Sequence, residues 1–107
     1  MSQEDLNRLL VELKRGLINL YGQRLIVVLL YGSYARGDQK PESDLDVLII
    51  LDDFNIYSDE IKHTSELISE LSLMYNISIS RKFLRKITWL TGDTPLIRNV
   101  RAEAIPT

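Results

Sequence analysis

The sequence predicts an α/β domain in which a small mixed β-sheet is flanked by helices, and three observations carry that reading. Two short runs, Leu25–Tyr31 and Leu45–Leu51, are almost wholly apolar. Each is too short for a typical helix, and the first lacks a polar face altogether, as expected of strands buried on both sides. Between the second run and a later alternating segment lies a helical pattern long enough for a parallel crossover.

The elements follow in chain order. Ser2 with Asp5 resembles a capping box, and Leu6, Leu9, Leu10, Leu13, Leu17 and Leu20 then recur at helical spacing until Gly22 ends the pattern. The run Leu25–Tyr31 supplies a central strand. Gly32-Ser33-Tyr34-Ala35-Arg36-Gly37-Asp38 comes next, and Pro41 excludes regular helix or central strand from the stretch after it, so the connection is a sharp polar turn. The second strand is entered through Asp44 and contains one charged residue, Asp46. After a loop over residues 52–57, Ser58 or Asp59 is expected to cap a helix whose apolar side is Ile61, Leu67, Ile68, Leu71, Met74 and Tyr75. The third strand is expected over residues 77–83, with Ile77 and Ile79 on one face and Ser78 and Ser80 on the other. A broken helical tail ends the chain, with Thr94 as cap, Pro95 at the first helical position, then Leu96, Ile97 and Val100.

Composition narrows the chemistry. A chain of 107 residues is one domain's worth and buries roughly two-thirds of its unfolded surface. With 45% hydrophobic and 26% charged residues it is expected to fold. Thirteen basic against fifteen acidic residues, net −2, argue against unspecialised coating of nucleic acid, which needs many cationic contacts. The absence of cysteine excludes disulfides, thiolate zinc and cysteine nucleophiles, and a single histidine, His63, excludes a multi-histidine metal cluster. Glu4 and Asp5 stand where a secretory signal carries positive charge, and no apolar run approaches the ~20 residues of a membrane span. The expected address is the cytoplasm, with no membrane partner.

The residues that carry chemistry sit around the polar turn. Side chains two apart on a strand share a face, so Asp44 and Asp46 project together. Neighbouring carboxylates raise each other's pKa unless a cation lies between them, and magnesium takes one or two carboxylates plus waters and substrate phosphates. If the first two strands are antiparallel neighbours, Gly32-Ser33 lies beside Asp44. Gly32 lets backbone amides approach an anion, the Ser33 hydroxyl can donate to a phosphate, and Arg36 adds a cation in the same turn.

Gly32-Ser33, the ten residues 34–43, then Asp44-Leu45-Asp46 resembles the GS-x10-DxD signature of the DNA-polymerase-β-type nucleotidyltransferase superfamily. Length and element order resemble its minimal MNT-type members, often paired as antitoxins with HEPN-domain ribonucleases. The resemblance implies that residues 1–107 form a single minimal domain with the nucleotidyltransferase fold. It implies that Gly32 and Ser33 hold the β- and γ-phosphates and that Asp44 and Asp46 bind Mg2+. AMP would then pass from ATP to a tyrosine hydroxyl of a HEPN toxin as pyrophosphate leaves, neutralising the toxin. Such chemistry asks mainly for positioning and charge neutralisation.

One feature departs from the superfamily pattern, which places a third carboxylate on the next strand. Residues 77–81 contain no acid, and Ser78 or Ser80 stands at the inward position. Two rival readings follow: a binding antitoxin that acts by occlusion, and an enzyme modifying a small hydroxylated molecule such as an aminoglycoside. Nucleic acid is expected to be met only through the toxin. Arg81, Lys82, Arg85 and Lys86 are expected to form a solvated basic face, with a patch for triphosphate, for an acidic partner surface or for RNA as the alternative.

Overall fold

Ser2 caps the first helix, its hydroxyl accepting the Asp5 amide at 3.1 Å. In the computed structural model, which describes residues 1–107, that helix, α1, spans Gln3–Tyr21. It is followed by a 3₁₀ turn at Gly22–Arg24, β1 (Leu25–Tyr31), a one-turn helix α2 (Ser33–Arg36) and β2 (Leu45–Leu51). The second half contains α3 (Tyr57–Tyr75), β3 (Ile79–Arg85), α4 (Lys86–Thr91), α5 (Pro95–Glu103) and a short β4 (Ile105–Pro106). The four strands form one mixed sheet in the order β3-β2-β1-β4; β1 is antiparallel to β2 and to β4, and β2 is parallel to β3 through the α3 crossover. The sequence-predicted class is therefore the observed one.

Both faces of the central strands are covered, which is why they read as unbroken apolar runs. Val28, Leu30, Leu45, Val47, Ile49 and Leu51 pack against α1 and α3. Their alternates Leu29, Tyr31, Leu48 and Ile50 pack against Val100 of α5, with Trp89 of α4 alongside. Leu9, Leu13 and Leu17 of α1 are fully buried, each contributing on the order of 1.5–3 kcal/mol of transfer free energy. No helix is long and apolar enough to cross a membrane.

Several sequence-predicted boundaries move, each for a packing reason. The helix expected to be capped by Ser58 or Asp59 begins at Tyr57 behind Ile56, without a side-chain cap. Tyr57 packs edge-on against Phe54 and Phe83, and its hydroxyl accepts the Phe83 amide at 3.3 Å, so the aromatic cluster draws the helix start backward. Met74 is 65% exposed and does not belong to the apolar side. Thr64, fully buried, does. The third strand starts at Ile79 because Asn76 closes α3 in the left-handed region, φ 51°, and the Ile77 amide returns to the Ser72 carbonyl at 3.1 Å. Residues 77–78 thus lie in the connection between the helix end and the strand. Neither α4 nor β4 was signalled by periodicity; β4 exists through its pairing of Ile105 and Pro106 with Leu30 and Leu29.

The basic run on β3 is not a uniform solvated face. Arg81 donates to the Thr64 hydroxyl at 2.8 Å, the Ile61 carbonyl at 2.8 Å and the Ser65 hydroxyl at 3.3 Å, clamping β3 to α3. Arg85 donates to the Phe54 carbonyl at 2.8 Å and lies over the Phe54 ring. Lys82 alternates to the opposite face, toward Asp46. Arg81→Met is expected to lower stability by about 2 kcal/mol, because it deletes three charge-assisted hydrogen bonds. Arg81→Lys should rescue little, since one ammonium cannot serve the fork geometry; calorimetric melting of both variants checks this.

Candidate active site

The site forms where β1 ends beside the start of β2. Tyr31 pairs with Asp46 in the antiparallel register, so the next residue, Gly32, faces the Asp46 carboxylate. Gly32 has φ 77°, a region that disfavours any Cβ, and a Cβ built there would lie 2.3 Å from Asp46 Oδ2. Glycine is therefore required twice, by backbone conformation and by the closeness of a carboxylate. The single turn α2 then folds on Gly32, whose carbonyl accepts the Ala35 and Arg36 amides at 3.1 Å each. Gly37, in the left-handed region at φ 81°, closes it. The turn over residues 38–44 is held by Ser43, whose hydroxyl accepts the Lys40 amide at 2.9 Å.

Gly32, Ser33, Arg36, Asp44 and Asp46, all singled out from sequence, line one open cleft of about 420 Å³. Tyr31, Ser43, Leu96, Asn99 and Glu103 complete it. A separate cleft of about 540 Å³ between α1 and β4, walled by Leu10, Val11, Ile18, Leu30 and Ile105, has no acidic side chain and lacks the paired carboxylates the chemistry needs.

Electrostatics marks Asp46. Partial burial is the main force raising its carboxyl above the usual range, and the charge of Asp44 adds to it; Lys82 and Arg36 pull the other way, and Glu103 pushes upward again. Burial, with Asp46 next, pushes the Tyr31 phenol up to about 12. Nowhere do three or more His, Cys, Asp or Glu side chains gather as a metal-holding group. The donor set fits a magnesium ion that arrives with phosphate: two acidic side chains whose mutual repulsion a divalent cation relieves, with the remaining ligands left to phosphate and water.

Ser80 of β3 sits in register beside Asp46, and the next residue on that face is Lys82. Ser78 lies outside the strand, its carbonyl accepting the Leu45 amide at 2.9 Å. Sequence reasoning missed Glu103 and Tyr31. Glu103 arrives from α5: its Oε1 accepts the Gly32 amide at 3.0 Å and its Oε2 accepts the Arg36 guanidinium at 2.9 Å. Arg36 and then the Gly32 amide hold the Glu103 carboxyl below the usual range. Arg36 also reaches Asp38 at 3.2 Å, an ion pair between exposed side chains. No local pattern could have signalled Glu103, which is 71 residues from Gly32.

Comparison with known proteins gives a consistent set. The model of the nucleotidyltransferase domain family matches residues 10–104. Two proteins of Methanocaldococcus jannaschii that bear the name protein adenylyltransferase are similar in sequence. One is 34% identical over 82 residues, covering 77% of this chain and 82% of its own length. The other is 35% identical over 85 residues, covering 73% and 78%. A solved structure described as a minimal nucleotidyltransferase superposes with TM-score 0.67 at 22% identity, covering 100% of this chain and 97% of that one. A toxin–antitoxin crystal structure with AMP-PNP gives TM-score 0.64 at 19% identity, covering 92% and 69%. A chain from the complex of the tri-AMPylated Shewanella oneidensis HEPN toxin with MNT antitoxin gives 0.53 at 17% identity, covering 92% and 70%. At these identities the solved structures show a shared fold.

Proposed function

The chain belongs to the nucleotidyltransferase domain family, and from that premise we propose that it transfers AMP from ATP, with magnesium, to a tyrosine hydroxyl of a cognate HEPN ribonuclease toxin and thereby silences it. The observation that carries the reading is the meeting of Asp44 and Asp46 with Gly32-Ser33 in one cleft, where burial and then the charge of Asp44 raise the Asp46 carboxyl above its usual range. The names borne by the M. jannaschii relatives support a protein acceptor, and the AMPylated HEPN toxin in the S. oneidensis complex supports that acceptor's kind.

In this mechanism the Ser33 hydroxyl, the Gly32 amide and Arg36 hold and orient the β- and γ-phosphates, and Asp44 and Asp46 hold the magnesium. The ion supplies neutralisation of the phosphate charge. The acceptor oxygen bonds to the α-phosphorus as that phosphorus separates from the pyrophosphate oxygen, and the phenolic proton passes to water. Residues 1–107 are read as a single minimal domain, and the toxin's own surface as what positions the acceptor.

Incubation with α-labelled ATP, magnesium and a HEPN protein encoded beside this chain tests the reading. Label is expected on a toxin tyrosine. Its absence, with the toxin neutralised by a tight complex regardless of Asp44 or Asp46, supports occlusion, the second reading, which the serine beside Asp46 favours. Removing a third carboxylate that acts as base typically slows a reaction by about 10²–10⁴, so transfer is expected to be slow. Supplying the acid by Ser80→Asp should accelerate it at least tenfold by that scale, read as initial label incorporation.

A further inference from the structure

Glu103 is seated where an incoming anion would be held. Two of the donors on the β1 side of the cleft are the Gly32 amide and the Arg36 guanidinium. Each already serves one oxygen of the same carboxylate, at 3.0 and 2.9 Å. This is the bridging arrangement that a phosphate group's two oxygens adopt between an amide and an arginine.

The placement is built into the fold. Glu103 is the last residue of α5, a helix anchored by Ile97 and Val100, which are 1% and 0% exposed. Immediately after it the chain is pinned by the pairing of Ile105 with Leu30 on β1. The side chain is held between two fixed points and is only 20% exposed. It also lies near enough to Asp46 across the cleft to add a repulsion between the two carboxylates.

We propose that Glu103 is an internal phosphate mimic: it occupies the Gly32–Arg36 anion seat, and the terminal phosphates of a nucleoside triphosphate bind only by displacing it. The inference rests on the reading of this cleft as a nucleotide site and adds a self-imposed threshold to it. Nucleotide affinity is then set partly by a carboxylate outside the GS-x10-DxD signature, and anything that draws the end of α5 away opens the seat.

The test is calorimetric titration of the full chain with magnesium-ATP, and separately with magnesium tripolyphosphate, for the wild type, Glu103→Gln and Glu103→Ala. Glutamine keeps the shape but removes the charge, and alanine frees both donors. Both variants are expected to bind either ligand about 5- to 20-fold more tightly, the scale of one charge-assisted contact. The gain with tripolyphosphate places the effect at the phosphates. In the unsubstituted protein, adding tripolyphosphate should shift the Glu103 carboxyl carbon and the Gly32 amide resonances together, with one midpoint, as the contact breaks. Unchanged or weaker binding by both variants, where the wild type binds, overturns the inference and leaves the nucleotide site standing. Weaker binding together with lost magnesium affinity identifies Glu103 as a metal ligand, which also overturns it. Failure of all three proteins to bind any triphosphate overturns the nucleotide reading and the inference with it.

Discussion

Asp46→Asn is expected to cut AMP transfer by about 10³-fold, equivalent to about 4 kcal/mol of transition-state stabilisation, while raising the melting temperature of the metal-free protein. The two effects share one cause. Asp46 sits half-buried beside Asp44, and both burial and that neighbour lift its carboxyl above the value it has in the unfolded chain. A raised folded-state value means that the native state prefers the protonated form, so the ionised carboxylate works against folding. That penalty is absent below the unfolded value, grows as pH rises from there, and is complete above the folded value. Asparagine has the same shape and no charge, so it removes the penalty and with it the negative field that attracts a divalent cation. Two measurements check this: label transfer to the toxin, and thermal melting of wild type and variant at neutral pH and near pH 4. The stability gain should be present at neutral pH and shrink at the acidic value. A variant less stable than wild type at neutral pH contradicts the account of Asp46 as a strained acid.

Gly32→Ala is expected to reduce transfer at least about 10²-fold, since displacements near 1 Å at a reacting centre cost this much, and to lower stability by about 1–3 kcal/mol. The backbone at φ 77° disfavours alanine, and the new methyl group would lie 2.3 Å from Asp46 Oδ2. The fold can relieve that overlap only by moving Asp46 or the β1–α2 junction, and both shift the site. Gly37→Ala is the control. It imposes a similar positive φ, 81°, with nothing within 4 Å of the added carbon, so it should cost stability while leaving transfer within a few-fold. Equal losses of transfer in the two variants would show that backbone strain, and not the approach of Asp46, explains the glycine.

The helices and strands were legible where burial imposes a period. The leucine spacing of α1 and the two apolar runs of β1 and β2 each report a face, or two faces, removed from water. Thr94 and Pro95 reported the start of α5, where the Thr94 hydroxyl accepts the Ile97 amide at 3.2 Å. Within the cleft, Gly32, Ser33, Asp44 and Asp46 were legible because an antiparallel hairpin converts a spacing into a place. Less legible were the start of α3, which an aromatic cluster sets from three separate segments, and Met74, whose side of the helix depends on where the sheet happens to lie.

Sequence alone determined the fold class, the sheet's central strands and the pair of aspartates facing a glycine-serine turn, because each rests on contacts between residues near in the chain or on a repeated pattern. Tertiary structure alone decided that Arg81 clamps β3 to α3 while Lys82 turns toward Asp46, that Ser80 stands beside Asp46, and that Glu103 reaches back to Gly32 and Arg36. These are meetings of charged or polar side chains far apart in the chain. Hydrophobic periodicity carries no information about them, and they come into being only when the sheet register and the helix ends have been set.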